Sequence, residues 1–514
     1  MNRDGANESL WQERIPDYIP LTKKDVERYT VFDVAVIGGG ITGVTTALLL
    51  QKAGKKCLLL EARTLGFGTT GGTTAHLNTM MDNPYNVLIK DFGEDNARMV
   101  HDAAQKAIDL VQKNVKEYNI DCGFMHRQAY LFAEDEKQAE ELKDISEASK
   151  KVGCKVKYAD TIPAPMDFKK ALVFSDQAQF HPIKYLYALA KAFEEAGGTI
   201  IQNCRVTEVK ADKPLTIHSD CGNYNADRLI YATHIPPGVN ILHFRCAPYR
   251  SYAMAVKLKN NEYPDGLVYD MCEPYHYYRT QEVNGEKYLI AGGEDHKTAH
   301  EANTQQCFDK LKQYIKKYYK IEEVAYQWSS QYFEPTDGLP YIGSLPGSSE
   351  NIYVATGFGG NGMIYSHVSA MVLTEMLVSG KSEYGELFNP NRVKPVAGFS
   401  NFVKEAVDVV GKFIGKRFDT EKIHDFIEMT RDEAKVVKYE GHTLALYKDA
   451  NGGLHSVSPV CPHVGCRVEW NNTEKTWDCP CHGSRFNADG EVLTGPATIG
   501  LERVDLRKIQ ETHK

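Results

Sequence analysis

Two hexads near the C-terminus, CPHVGC at 461–466 and CPCHGS at 479–484, concentrate sulfur and imidazole groups. They read C-x-H and C-x-x-H with 15 residues between them. Two thiolates and two imidazoles could hold a tetrahedral zinc ion, but zinc would leave Cys466 and Cys481 without a role. A [2Fe-2S] centre takes the same four ligands, with Cys461 and Cys479 on one iron and His463 and His482 on the other. Neutral imidazoles leave such a centre less negative than four thiolates would, so its potential is high, about −150 to +300 mV. It would accept electrons, and their source must lie elsewhere in the chain or outside it.

The candidate source is at the other end. Gly38, Gly40 and Gly43 match G-x-G-x-x-G, with Ile41 and Thr42 inside the motif, between the apolar run DVAVI and the helical pattern VTTALLLQKAG. A second apolar run, KCLLLEA at 56–62, follows. In this strand–turn–helix–strand context the first glycine permits the tight turn, and the second lets the backbone approach a pyrophosphate. The third lets helix pack on strand, and the helix N-terminus stabilises the phosphate charge. Glu61, followed by Ala62 and Arg63, is placed to accept ribose hydroxyls; an acid there repels a 2'-phosphate and favours FAD or NAD over NADP. GFGGNG at 357–362 spells the same pattern, but no strand ending in Asp or Glu follows about 20 residues later, so a second dinucleotide domain for NAD(P)H is not supported.

These groups need positioning elements. At 514 residues the chain is too long for one core, so two to four domains are expected. A net charge of −8 without a long Lys/Arg run argues against nucleic acid or anionic lipid as the main partner and favours a small molecule or a protein. The N-terminus has no apolar signal region, and no run of about 18 apolar residues occurs. A cytoplasmic protein without a transmembrane segment is expected. Eight of the 12 cysteines (Cys57, Cys122, Cys154, Cys204, Cys221, Cys246, Cys272 and Cys307) are scattered singly, which suits reduced thiols.

The fold class expected is α/β plus all-β. After an N-terminal arm over 1–30, one discontinuous Rossmann-like unit runs from 31 to about 390, with an antiparallel substrate sheet inserted at about 245–335. Residues 391–422 carry Phe402, Val403, Ala406, Val407, Val410, Phe413 and Ile414 at helical spacing, predicting a linker helix docked between two domains. From 423 to 514 short strands and turns predict a small β-sandwich.

The segments DVAVIGGGITG, LLLEARTLGFGTTGGTTA, RLIYAT, WSSQYFEPTDGLPYIG and NIYVATGFGGNGM resemble, in order, the signatures of the D-amino-acid-oxidase-like (DAO) FAD-dependent oxidoreductases of the glycine oxidase and sarcosine oxidase type. The resemblance covers about 31–385 and implies FAD. It places Val206 near the adenine and the turn containing Gly68, Thr69, Thr70, Thr73, Thr74 and Ala75 near the flavin, with Asp337 also in the cofactor site. Gly357, Gly359, Gly360, Asn361, Gly362 and Met363 would bring backbone N–H groups against the flavin O2 and N1 edge, and the isoalloxazine would face the inserted sheet.

From about 423 to 505 the chain resembles the Rieske proteins of cytochrome bc and b6f complexes, including GPA at 495–497 as the proline-containing loop over the cluster. That resemblance implies a Cys466–Cys481 disulfide tying the ligand loops together. Phe486 stands where those proteins usually have a tyrosine that donates to a cysteine sulfur, while Ser484, the usual donor to a bridging sulfide, is kept; losing one donor lowers the potential.

The combination resembles a group of bacterial fusions of a DAO-like FAD domain with a Rieske domain. It implies a dehydrogenase of the C–N bond of a small amine or amino-acid-like substrate, with electrons leaving singly through the cluster to an external acceptor, a protein or quinone. The alternative is a reductase component feeding a separate oxygenase. Glycine-oxidase-like relatives carry a carboxylate-binding arginine in W-x-G-x-R-P; here WSSQYF puts Tyr332 at that place, leaving Arg279 or Arg250 as replacements. His276, Tyr278 and Arg279, in YHYYRT, are the candidate substrate-facing residues; the competing reading is aromatics that pack a sheet. His76 and His181 are ambiguous between core and site.

Overall fold

The computed structural model describes residues 3–21, 26–27, 29–392, 421–422 and 429–508. Its first sheet is built around Val31–Ile37, which pairs in parallel with Cys57–Leu60 on one side and Gly222–Tyr231 on the other. All four residues of CLLL are buried, as required of a strand covered on both faces. The sheet order is Tyr341–Ser344, Ile352–Thr356, Gly222–Tyr231, Val31–Ile37, Cys57–Leu60, Thr199–Ile201, with a hairpin formed by Val206–Lys210 and Leu215–Ser219 at its side. Helices Ile41–Lys52 and Gly362–Ser379 are apolar nearly all round because they pack against each other and the sheet. Their N-termini follow the two glycine loops.

The substrate sheet is larger than the sequence predicts. Five strands come from the expected insertion: Cys246–Leu258, Leu267–Tyr269, Tyr277–Val283, Glu286–Lys297 and Ile321–Pro335. Four more, His76–Leu77, Met125–Ala133, Val156–Ala159 and Lys170–Gln179, come from upstream and complete nine strands. The parallel pairing of Leu267–Tyr269 with Met125–Ala133 joins the two groups.

The C-terminal region is two four-stranded sheets, with the hexads in loops that flank the strands of the second. Glu469–Asn471, Thr476–Asp478, Arg485–Phe486 and Val492–Thr494 form that sheet. The helix predicted over 391–422 falls almost wholly outside the described residues.

The N-terminal arm is a clasp between the two halves. Ala6 N donates to Glu474 O at 3.1 Å, Asp4 N to Phe67 O at 3.2 Å, and the fully buried Trp11 places Nε1 2.5 Å from Thr73 O. Around it lies a buried network of three guanidiniums, Arg3, Arg250 and Arg485, and three carboxylates, Asp4, Glu474 and Asp478. Arg3 pairs with Glu474 at 2.9 Å, Arg485 with Asp4 at 2.7 Å and Asp478 at 3.2 Å, and Arg250 approaches Asp478 at 3.6 Å. Burial alone would raise the Glu474 carboxyl, but the three guanidiniums overcome it and hold it down at about 2.

Candidate functional site

A cavity of about 320 Å³ runs from the first glycine loop to the substrate sheet. Gly38 has φ +113°, and a Cβ there would stand 2.5 Å from Ala232 O; one on Gly43 would stand 1.9 Å from Gly38 O. Only glycine fits these two places, and the wall left open is backbone. Gly38, Gly40, Ile41 and Thr42 line the cavity, while Gly43 lies behind them as the packing glycine. Glu61 and Ala62 line its outer end with Val206; Arg63 does not reach the wall. Gly39 N and Arg63 N donate to the Glu61 carboxylate at 2.6 and 2.8 Å, fixing its orientation. Burial raises the Glu61 pKa against these bonds and the charges of Arg205 and Arg63.

The next turn supplies Gly68, Thr69, Thr70, Thr73 and Thr74 to the wall, but not Ala75. Opposite it stand Gly359, Gly360, Asn361, Gly362 and Met363, at the start of the second helix. Gly357 lies off the wall. Asp337 is also off it: its carboxylate receives Arg392 Nε and Nη2 at 2.8 and 2.7 Å, so this predicted cofactor residue is a structural ion pair. The shape and donor set fit a flavin dinucleotide: glycine backbone at the phosphates, an oriented acid at the outer end, and a helix N-terminus beside the inner end.

The three predicted catalytic residues do not line the cavity. His276 is held by Asp270 at 2.9 Å and Glu294 at 3.3 Å and stacks on Tyr314 at 3.7 Å; burial lowers its pKa, but the two acids raise it to about 9. Tyr278 is buried in the packing behind the sheet. Arg279 donates Nε to Thr74 O at 2.6 Å and Nη1 to Gln281 Oε1 at 2.8 Å, and packs over Trp11. Arg250 belongs to the interdomain network. Neither arginine is free to bind a substrate carboxylate.

The residues that do face the inner end are Asp82, Tyr269, Tyr275, Tyr277, Asp295 and Tyr332. Within YHYYRT the residues expected from sequence to face the substrate are His276, Tyr278 and Arg279, but Tyr275 and Tyr277 are the ones that line the cavity. His76 also lines the wall, between the rings of Tyr269 and Tyr277, with its pKa lowered by burial and by Arg279. His181 instead caps the helix Pro182–Glu195 and packs on Trp11.

At the second centre, Cys461 and Cys479 are buried with thiols close enough to interact, which pulls the first pKa down and pushes the second up. The rings of His463 and His482 are 4.9 Å apart. His463 Nε2 lies 2.9 Å from Gly238 O, leaving Nδ1 buried without a partner, and neither nitrogen of buried His482 has one. Two thiols beside orphaned imidazole nitrogens are the donor set a mixed-ligand [2Fe-2S] cluster satisfies. Cys466 and Cys481 are disulfide-bonded, and their sulfurs lie within 4.8 Å of Cys479. Ser484 Oγ accepts from Ala497 N at 3.0 Å, tying the ligand loop to the proline-containing loop. A second disulfide, Cys204–Cys221, corrects the expectation that all eight scattered cysteines are thiols. Both are lone cysteines in sequence, brought together by the 206–231 hairpin strands.

The two centres share walls. Leu493, Thr494, Gly495, Ala497 and Thr498, from the cluster-bearing region, line the dinucleotide cavity together with Asp4 of the arm. Gln331 also lines it and donates Nε2 to Gly483 O, beside His482, at 2.8 Å. None of these was anticipated from sequence.

Comparison with known proteins divides the chain the same way. A family described as FAD dependent oxidoreductase (DAO) matches residues 33–376, and one described as Rieske [2Fe-2S] domain matches 422–505. The chain is 35% identical over 506 residues to the putative Rieske 2Fe-2S iron-sulfur protein YhfW of Bacillus subtilis (strain 168), spanning 98% of each. It is 25% identical to gamma-glutamylputrescine oxidoreductase of Escherichia coli (strain K12), over 67% of this chain and 83% of that one. The crystal structure of glycine oxidase from Geobacillus kaustophilus superimposes with a TM-score of 0.58 at 18% identity, covering 70% of this chain and 99% of that one, a likeness of fold. Among the described residues, no helix is long and apolar enough to cross a membrane.

Proposed function

The chain belongs to the DAO family of FAD-dependent oxidoreductases and carries FAD and a Rieske [2Fe-2S] cluster, and from that premise we propose that it is a dehydrogenase of the C–N bond of a small amine or amino-acid-like substrate, its electrons leaving singly for an external acceptor. The observation that carries this reading is Gln331. One side chain belongs to the wall of the dinucleotide cavity and hydrogen-bonds the backbone next to a cluster ligand. A simple oxidase has no need of that contact, because oxygen reaches a flavin directly.

When bound, FAD takes two electrons from a C–H bond as a hydride and the cluster passes electrons one at a time. The chain's residues do the rest. The two glycine loops hold the dinucleotide without side-chain interference, and Glu61 anchors its outer end. The substrate sheet presents the aromatic and acidic groups of the inner end. Thr69 Oγ1 donates to Gln331 O at 3.3 Å, so the turn near the flavin and the strand that carries Gln331 are tied together. The clasp of Arg3, Asp4 and Trp11 keeps the two halves docked. An amine substrate is supported by the likeness to the Escherichia coli gamma-glutamylputrescine oxidoreductase.

The test is anaerobic mixing of the purified protein with amines, amino acids and NADH. The reading expects bleaching of the flavin by an amine or amino acid, followed by the electron-paramagnetic signal of a reduced Rieske centre. Bleaching by NADH alone would replace it with a reductase component.

A further inference from the structure

We propose that the inner end of the cavity is an anionic aromatic box that selects a cationic amine bearing no carboxylate next to the reacting carbon, held by Asp82 and Asp295 between the faces of Tyr275, Tyr277 and Tyr332. This deepens the dehydrogenase reading and rests on it.

The first support is charge. Asp82 is close enough to raise Asp295, and both raise Glu334, which lies off the cavity wall; none has an ion-pair partner among the described residues, though the charge of His276 partly offsets Asp295. Burial, then the charge of Asp82, pushes Asp295 up to about 7; burial, then Asp82 and Asp295, pushes Glu334 up to about 8; burial raises Asp82 to about 6 against hydrogen bonds from Gly360 and Asn361. Among the described residues the one Lys or Arg on the cavity wall is Arg205, at the opposite end beside Glu61 and Val206. Carboxylates left without cations in a protein interior are costly unless a ligand supplies the charge.

The second support is geometry. Tyr332 lines the wall, and its hydroxyl donates to Asp295 Oδ2 at 3.0 Å; Asp295 Oδ1 is buried with no partner. Asp82 lies at the tip of the second glycine loop, where a Cβ on Gly360 would stand 2.1 Å from Oδ2 and 3.2 Å from the Tyr275 hydroxyl. Asp82 is exposed and lines the cavity. An acid therefore stands on each side of the space, and tyrosine rings between them offer cation–π contact, about 0.5–2 kcal/mol each in a desolvated site. A substrate carboxylate would meet like charge and no guanidinium, which costs affinity through repulsion and an unpaired acceptor.

The chemistry closes. Ionised Asp295 takes a proton from R–CH2–NH3+, giving its carboxylic acid and the neutral amine. The C–H bond breaks with its electron pair leaving as hydride to the flavin, and the nitrogen lone pair forms C=N, leaving R–CH=NH2+. Two electrons pass to FAD, and the proton stays on the carboxyl until it reaches solvent.

The experiment uses FAD-loaded, cluster-loaded protein. Anaerobic flavin bleaching is compared for butylamine, 1,4-diaminobutane, glycine and proline. Binding of butylamine is measured separately by calorimetry on dithionite-reduced protein, where no turnover occurs. The proposal expects bleaching by the amines at least tenfold faster than by the amino acids, and a Kd at least tenfold weaker in both Asp82→Asn and Asp295→Asn at unchanged FAD content. Faster bleaching by glycine or proline overturns the proposal and leaves the dehydrogenase reading standing, as does butylamine affinity unchanged in both variants. Bleaching by NADH alone overturns both.

Discussion

Two polar constellations flank the strand Ile321–Pro335, one fully buried and one open to the cavity, and they are opposites. At the interdomain face three guanidiniums meet three carboxylates, and Glu474 sits far below the usual carboxylate range. At the inner end of the cavity Asp82 and Asp295, with Glu334 behind the wall, meet no Lys or Arg on that wall among the described residues; the charge of His276 only partly offsets Asp295, and each carboxyl sits above that range. The first set is enclosed by protein, whereas Asp82 is exposed and Asp295 and Glu334 are half-buried; compensation separates them further. A neutralised network needs nothing further and can hold two domains in register. An uncompensated one costs stability in the empty protein, and that is the signature of a site waiting for charge.

The sharpest way to break the contrast is to unbalance the compensated side. Glu474→Gln removes the negative charge that Arg3, Arg250 and Arg485 share; its amide oxygen can still accept from Ser329 N and Oγ, both at 2.8 Å, but its NH2 then faces the Arg3 guanidinium. The expected cost is about 3–5 kcal/mol, as for other buried pairs that lose one member. Denaturant unfolding reads the loss, and cluster reduction after flavin reduction becomes slower. Adding Arg3→Met should recover part of the stability, because the second change removes an orphaned charge.

Next is the contact between ligand loop and cavity wall. Gly483 has φ +75°, and a Cβ there would stand 2.8 Å from Pro248 Cβ and 2.9 Å from Gln331 Nε2. Gly483→Ala therefore strains the loop and pushes the two halves apart, at about 1–3 kcal/mol. Iron content is retained, and flavin-to-cluster transfer slows in stopped-flow absorbance.

The uncompensated side should respond with opposite sign. Asp295 binds its proton more tightly folded than unfolded, so without substrate its contribution falls as pH rises from about 4 through about 7. Glu474 behaves inversely: its stabilisation is present above the ordinary carboxylate range and disappears as pH falls toward about 2. Asp295→Asn in the substrate-free protein is thus expected to raise Tm at pH 8, and by less at pH 5. A lower Tm at pH 8 would mean that Asp295 is structural.

How much was readable follows the same division. The cluster ligands Cys461, His463, Cys479 and His482 lie in two short segments, so local spacing carried them. Gly38, Gly40 and Glu61 were readable for the same reason, each within one strand–turn–helix unit. The inner wall was not, because Asp82, Tyr277, Asp295 and Tyr332 come from four separate segments assembled by sheet register. Within YHYYRT the wall takes Tyr275 and Tyr277 and not His276, Tyr278 and Arg279, because the pairing with Glu286–Lys297 and the buried bonds of Arg279 decide what meets the cavity. Asp337 was misplaced because its motif marks a turn, while Arg392, far along the chain, claims its carboxylate. The Arg3–Glu474 clasp joins residues 471 positions apart, beyond any local pattern.

The smallest expected effect is also the most discriminating. Tyr332→Phe keeps the ring and deletes only the hydroxyl that donates to Asp295 at 3.0 Å. Losing a donor to the charged form raises that carboxyl further. At pH 8 the ionised fraction then drops, so butylamine binding to the reduced protein weakens. At pH 9 more of the carboxyl is ionised in both proteins, and the difference shrinks toward nothing. A purely steric role for Tyr332 would give the same change at both pH values, whereas an effect that fades with rising pH identifies the anion on Asp295 as the group that meets the substrate.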